Sequence, residues 1–143
     1  MGAAPPGERP GFGGHPRTSS LAIPLLREIE NRAMDAPVLY MVRAWVSPDG
    51  GQRYLDWLER KHMAEVIREP GFLWARRCRL DQTDDRGWQG YLLIYGLESR
   101  RALEDYLASP ARERFWQELV KFDDVHRAER FFGSVDFAIE SAR

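Results

Sequence analysis

Residues 54–67, Tyr-Leu-Asp-Trp-Leu-Glu-Arg-Lys-His-Met-Ala-Glu-Val-Ile, predict an amphipathic helix with a histidine in its core-facing stripe. At about 100° per residue, Leu55, Leu58, His62 and Val66 fall within an arc of about 80°, the width of a buried seam. An imidazole in the middle of an apolar stripe must find a hydrogen-bond partner or face a cavity, because burying it unpaired costs on the order of 1–3 kcal/mol. His62 is therefore the strongest single candidate for a functional residue.

The pattern on both sides of this helix predicts the element order β-α-β-β-α-β. The predicted elements are a strand over 38–46, the helix over 54–67, strands over 72–82 and 88–97, a helix from 100 that restarts at Pro110 and ends near 122, and a strand over 130–139. Ser99 and Ser109 are expected to cap the two helical pieces. This order is typical of the α+β ferredoxin-like fold, an antiparallel sheet of four strands with both helices on one face.

The sheet face without helices should be covered by a second copy of the chain. The predicted strands are apolar on both faces: in the first strand, Tyr40 and Val42 point to one face, and Met41 and Trp45 point to the other. Left open, that face would exceed the largest apolar patch usual on monomers, about a few hundred Å². The sequence therefore predicts a homodimer.

Composition excludes several function classes. The 143 residues carry 21 basic and 22 acidic side chains and a net charge of −1, which argues against a nucleic-acid or acidic-membrane partner. One cysteine, Cys78, favours a reducing cytoplasm and excludes a structural zinc site of the multi-cysteine kind. An apolar run of about 18 residues and a hydrophobic signal core are both missing from the sequence. We expect a soluble, cytoplasmic protein.

The first 36 residues are set apart from the domain that we expect over 37–141. Residues 1–20 are rich in Gly, Pro and Ala and are expected to be disordered, while 21–33 could form a short helix. Met34 stands just before the first strand. The segment is thus either an extension added by a wrong start codon or a real arm that packs on a partner subunit.

Three groups of residues resemble a known family: Tyr54-x-x-Trp57, Lys61-His62-Met63-x-Glu65-Val66 and Gly71-Phe72. With the element order, they make residues 38–139 similar to the dimeric α+β barrel superfamily, and within it to a family of uncharacterised proteins called DUF4286. The resemblance implies a barrel-shaped dimer with a pocket between helices and sheet in each subunit. Relatives run cofactor-free cyclisations, isomerisations, lyase steps and quinol-type oxygenations there, or bind haem.

A plant polyketide cyclase of the same superfamily offers a second comparison. Its Tyr-x-x-His-Pro-x-His run is similar to residues 106–112, Tyr-Leu-Ala-Ser-Pro-Ala-Arg. Tyr106 matches, but Ser109 and Arg112 replace both histidines, and Leu93 stands where the cyclase has a further histidine after a Gly-Tyr on its third strand. The cyclase mechanism therefore does not carry over intact, and the proton partner of Tyr106 would be His62 or another group.

His62 itself is open to three interpretations. It could be a core histidine hydrogen-bonded to a backbone carbonyl or to Tyr40 or Tyr95, or an acid/base group in a pocket, which its unperturbed pKa near 6.5 suits. A metal site is disfavoured, because Glu59 and Glu65 lie at i−3 and i+3 and no second histidine lies at i±4.

His126 is the other histidine that could serve as an axial haem ligand. It follows Asp123-Asp124-Val125, which predicts a solvated loop and disfavours a haem site.

Two further residues could stabilise negative charge in a pocket, namely Tyr106 and Arg43. The alternative for Arg43 is an ion pair with Asp136 or Glu129, and the alternative for Tyr106 is core packing. The catalytic candidates are thus His62, Tyr106 and Arg43. The residues expected to line the pocket are Tyr40, Leu58, Trp74, Tyr95 and Arg112.

The functional hypothesis from sequence is an enzyme that needs no cofactor and no metal. It would transfer a proton on an apolar or aromatic carbonyl compound, in a cyclase, isomerase or lyase reaction. The alternative is a dimeric module that binds a hydrophobic ligand, or assists another enzyme, without catalysis. A haem-binding protein or a cofactor-free monooxygenase is the remote alternative.

Overall fold

The computed structural model describes residues 35–142, and the predictions for residues 1–34 lie outside this range. The strands are β1 (Val38–Val46), β2 (Phe72–Thr83), β3 (Gln89–Leu97) and β4 (His126–Ser134). The helices are α1 (Gln52–Trp57), α2 (Met63–Ile67), α3 (Arg100–Leu107) and α4 (Pro110–Leu119), with a π-helical segment at Leu58–His62 and a 3₁₀ turn at Val120–Phe122. Within the described range, no helix is both long and apolar enough to pass through a bilayer.

The four strands form one antiparallel sheet in the order β2-β3-β1-β4. The central strand β1 has the predicted bounds, because its side chains are apolar on both faces and it pairs on both edges. The more polar β2 lies at an edge, as predicted. The ferredoxin-like α+β fold is confirmed.

The core lies between the helices and one face of the sheet. Alternate residues of β1, from Val38 to Val46, are buried there, opposite Leu58, Val66 and Leu103 of the helices. Burial of each of these aliphatic side chains stabilises the fold by about 1.5–3 kcal/mol. Ser99 and Ser109 cap α3 and α4, as predicted, because each hydroxyl accepts a backbone N–H three residues on.

The predicted His62 helix is one continuous run of turns, but it is not α-helical throughout. At its centre the N–H of Met63 donates to the carbonyl of Leu58, five residues back, which is the bond of a π turn. A π turn inserts one extra residue into the helix and rotates the next turns relative to an ideal α-helix. Such bulges are frequent at functional sites.

The last strand was predicted four residues too late. β4 begins at His126, which pairs with Val46, and ends at Ser134, which pairs with Val38. The turn predicted at Asp123-Asp124-Val125 is present, with both aspartates exposed, but His126 itself is not solvated. Its ring is buried, stacks on Tyr54 at 4.3 Å between centroids, and donates from Nδ1 to the carbonyl of Phe122 at 2.7 Å.

The other face of the sheet carries an apolar strip with no cover from the described residues. Its side chains are only partly buried or exposed; they are Leu39, Met41, Trp45, Trp74, Leu92, Ile94 and Phe131. Arg43 lies on this face too and pairs with Glu129 at 3.0 Å. This is the face on which the sequence predicts a second copy.

Candidate functional site

The His62 ring is held between two aromatic side chains. It stacks on Trp57 with 4.2 Å between centroids and 11° between planes, and it meets Phe115 of α4 edge-on at 5.2 Å. Trp57 and His62 are five residues apart, so the π turn brings them one above the other. An ideal α-helix would place them on different sides, which is why the α-helical arc predicted from the sequence leaves Trp57 out.

The His62 imidazole is neutral, and one of its two ring nitrogens is buried without a partner in the described part of the chain. Its Nδ1 is buried and has no hydrogen-bond partner among residues 35–142. Burial lowers the pKa of His62 to about 4, and the charges of Arg130 and Lys61 act in the same direction, against the opposing charge of Glu118. At neutral pH the ring is therefore an uncharged base with a nitrogen lone pair or N–H available to a ligand.

A cavity of about 30 Å³ lies beside this ring, enough for one or two water molecules. Its lining comes from the helices and the helix-facing side of the sheet: Tyr40, Val42, Tyr54, Trp57, Leu58, His62, Val66, Leu93, Tyr95, Tyr106, Leu119 and Arg130. Apolar walls with a few converging polar groups are typical of small-molecule sites, but such sites usually hold roughly 300–1,000 Å³, so a ligand larger than water fits here only when side chains of the wall move.

Four tyrosines are the main polar contributors to the wall. The Tyr40 ring lies 5.4 Å from Tyr95 and 6.1 Å from Tyr106, centroid to centroid. Burial raises the pKa of Tyr54, Tyr95 and Tyr106 above the ordinary phenol value. These phenols are therefore neutral hydrogen-bond donors at physiological pH, and they can donate to an oxygen in the cavity.

Arg130 brings a positive charge to the cavity. Its Nε donates to the hydroxyl oxygen of Tyr40 at 3.3 Å, which leaves the Tyr40 proton free to be donated elsewhere. The sequence does not predict this role, because Arg130 stands at the first position of the predicted last strand and the register of that strand is not encoded locally. The register with Val42 puts its side chain on the helix-facing side.

A carboxylate on α4, that of Glu118, binds two side chains of the His62 helix. Glu118 accepts from Trp57 Nε1 at 3.1 Å and from Lys61 Nζ at 2.9 Å. The Lys61 hydrogen bond lowers the pKa of Glu118, so the carboxylate is ionised at neutral pH. Through Trp57, this ion pair and hydrogen bond fix the indole over the His62 ring.

The structure gathers some of the predicted site residues and separates others. His62, Tyr106, Tyr40, Leu58 and Tyr95 all line the cavity.

Three predicted residues lie elsewhere. Arg43 and Trp74 lie on the opposite face of the sheet, and Arg112 lines a separate surface groove where α3 meets α4. The alternative ion pair of Arg43 with Glu129 is the one observed, and its two side chains are largely exposed.

Comparison with solved structures supports the fold. SnoaB from Streptomyces nogalater, a cofactor-independent oxygenase, matches with a TM-score of 0.54 and 17% identity over 74% of this chain and 100% of its own. HapK from Hahella chejuensis gives 0.55 and 11% over 74% and 99% of the two chains. A dimeric ferredoxin-like protein from an uncultured marine organism gives 0.55 and 11% over 71% and 96%.

None of the curated proteins compared with the chain matches it significantly. A family model does match, over residues 37–128, which is more than half of the sequence, and the matched segment includes the His62 helix and most of the cavity wall. The chain belongs to the family described as a domain of unknown function, DUF4286.

Proposed function

We propose that this protein is an enzyme that transfers a proton on an apolar, aromatic carbonyl compound without a cofactor, with His62 as the base. The observation that carries the proposal is the buried Nδ1 of His62, which lacks a partner among residues 35–142 and belongs to a ring lining the cavity. An unsatisfied buried polar atom costs about 1–3 kcal/mol, so its retention calls for a ligand or a reaction that uses it.

The chemical step rests on the groups around the cavity. His62 removes a proton from the carbon next to the substrate carbonyl, and the electrons of that C–H bond move to the carbonyl oxygen to give an enolate. Tyr106 or Tyr40 donates a hydrogen bond to this oxygen, with the charge of Arg130 behind Tyr40. Return of the proton from His62 to another atom of the enolate completes an isomerisation. In a cyclisation, the enolate carbon bonds to a second carbonyl carbon of the same molecule, and the oxygen of that carbonyl takes the electron pair of its C=O bond and the proton from His62.

The low pKa of His62 is compatible with this step, because the negative charge of the enolate makes the ring a stronger base as the reaction proceeds. In the ligand-free protein, burial makes the imidazole a weak base. An enolate that forms beside the ring stabilises the imidazolium, because opposite charges at close range raise the pKa of the cationic group. The base strength is therefore supplied when the substrate becomes negative, not before.

The fold is compatible with such chemistry. SnoaB, which has the same arrangement of sheet and helices, is described as a cofactor-independent oxygenase. A second function, that of a ligand-binding module without catalysis, is favoured by one observation: Trp57 and Phe115 enclose the His62 ring.

We also propose a homodimer through the apolar strip on the open face of the sheet, because a second copy would cover the apolar side chains exposed there.

Deuterium exchange tests the proposal without knowledge of the natural substrate. In D₂O at pD 7.5, the protein should accelerate loss of the C2–H proton signals of 1-tetralone or 1-indanone above the buffer rate. His62→Gln should reduce the catalysed rate by roughly 100-fold or more, the usual contribution of a general base.

Arg60→Gln is the control, since Arg60 is exposed on the same run of helix as His62, outside both the cavity wall and the groove beside it, and its replacement should leave the catalysed rate within a few-fold of the wild type. Both variants are checked for folding by circular dichroism. Wild-type exchange no faster than buffer for both ketones, or equal rates in His62→Gln and the wild type, would contradict the enzyme and favour the binding module.

A further inference from the structure

Arg130 is a cavity-lining arginine without an acidic partner among residues 35–142. Arg43, Arg53, Arg77 and Arg86 each pair with a carboxylate at 2.8–3.0 Å. No ion pair within residues 35–142 includes Arg130, although its side chain is half-buried and lines the cavity. A partly desolvated guanidinium without a counter-charge is unfavourable unless an anion binds to it.

The contacts of Arg130 leave part of its guanidinium edge free. The guanidinium carbon lies over the Trp116 ring at 5.1 Å from the centroid, and Nε donates to the hydroxyl oxygen of Tyr40. Neither terminal nitrogen of Arg130 has a hydrogen-bond partner among residues 35–142. The terminal nitrogens therefore remain able to bind a planar anionic group such as a carboxylate in bidentate geometry.

Arg130 also lies where the cavity meets the protein surface. A groove of about 330 Å³ between α4 and β4 shares Leu119 and Arg130 with the cavity; its lining is Trp116, Leu119, Val120, Asp123, His126, Arg127, Ala128 and Arg130. Trp116 and Val120 are nearly half exposed there, which provides an apolar platform for a ring. Of the charged groups in this lining, two are arginines and one, Asp123, is acidic.

We infer that the ligand of this protein is a flat aromatic compound with a carboxylate group, which enters between α4 and β4 and is held by the guanidinium of Arg130 and the ring of Trp116. This inference deepens the proposed function, on which it rests for the identity of the ligand-binding cavity. The carboxylate would anchor the molecule at the mouth, so that its reacting carbon is directed toward His62. Arg130 is thus a binding and positioning residue.

Equilibrium binding of 2-naphthoate and 2-naphthamide tests the inference. The two probes share ring and shape and differ in charge. Titration calorimetry with the full chain should show 2-naphthoate binding at least about 10-fold more tightly than 2-naphthamide, as expected for charge-assisted hydrogen bonds. Arg130→Gln should remove this preference and leave the affinity for 2-naphthamide within about twofold.

Two further variants make the result specific. Arg114→Gln changes the charge equally at an exposed position on α4, the helix that carries Trp116, and should keep the preference. Arg130→Lys keeps the charge but loses the planar fork, and should weaken 2-naphthoate binding at least about threefold without changing 2-naphthamide binding. Arg130→Lys takes the place of Arg130→Gln as the test of the inference if Arg130→Gln does not fold.

The inference is overturned if the wild type binds both probes equally, if Arg130→Gln retains the preference, or if Arg114→Gln loses it to the same extent. These outcomes are separate from failure of the proposed reaction. His62→Gln should keep the preference for 2-naphthoate even where deuterium exchange is lost, so binding can succeed while the catalytic proposal fails.

Discussion

Gly71→Ala is expected to lower the free energy of unfolding by roughly 3 kcal/mol or more, whereas Gly87→Ala should lower it by about 1–2 kcal/mol. Both glycines have a left-handed backbone, with φ of 86° and 79°, so each alanine carries the same conformational cost. They differ in their surroundings. A Cβ at residue 71 would overlap the Cβ of Ala102 in α3, and a Cβ at residue 87 would meet nothing within 4 Å.

The difference between the two variants isolates the packing of α3 against the turn before β2. Gly71 also fixes the neighbouring segment, since its carbonyl accepts the N–H of Glu98 at 2.9 Å. Relief of the overlap must move either this turn or α3, which carries Tyr106 of the cavity wall. Urea denaturation at pH 7 measures both losses, and equal losses would show that α3 adjusts freely at no cost.

Ile94→Asp is expected to convert a dimer into a monomer. Ile94 of β3 lies in the middle of the apolar strip on the open face of the sheet, paired with Met41 of the neighbouring strand β1. A carboxylate buried in a contact between two such strips costs several kcal/mol, and each 1.4 kcal/mol weakens association tenfold. Light scattering at micromolar concentration should give twice the mass of the chain for the wild type and the chain mass for Ile94→Asp.

Ile67→Asp is the control for that prediction, because Ile67 is already exposed on α2, on the helix side of the molecule. It should remain a dimer. A monomeric wild type would contradict the homodimer outright, and a dimeric Ile94→Asp would place the contact on another surface.

The sequence predicted the fold well because the signals that define it are local. β1 is apolar on both parities, and its observed bounds match the predicted ones. Serine before a helix, and serine followed by proline, are local signals of a helix N-terminus. The hydroxyls of Ser99 and Ser109 both make the expected capping hydrogen bonds. His62 lies in the stripe that Leu58 and Val66 define, and the structure places all three in one cavity wall.

The parts that were missed depend on distant contacts. No local sequence pattern predicts the π turn, which stacks Trp57 on His62. The Trp57 indole is also held by a hydrogen bond to Glu118, which is 61 residues away in sequence. The last strand was placed late because Val135, Phe137 and Ile139 alternate with the polar Asp136 and the small Ala138, as in a strand. β1 begins at Val38, opposite Ser134, so the residues after Ser134 have no β1 partner.

The state of the His62 ring is the most direct test of the central claim, that a neutral imidazole faces a ligand site. Two-dimensional ¹H–¹⁵N spectra of histidine side chains should show His62 neutral at pH 7, with its signals assigned by their loss in His62→Gln. Addition of 1-tetralone at pH 7 should shift the His62 signals by more than those of His126, which lines the groove but not the cavity. On lowering the pH, His62 should titrate near 4, well below the ordinary value of 6.5. A His62 ring that titrates near 6.5, or whose signals do not respond to the ketone at saturating concentration, would contradict the claim.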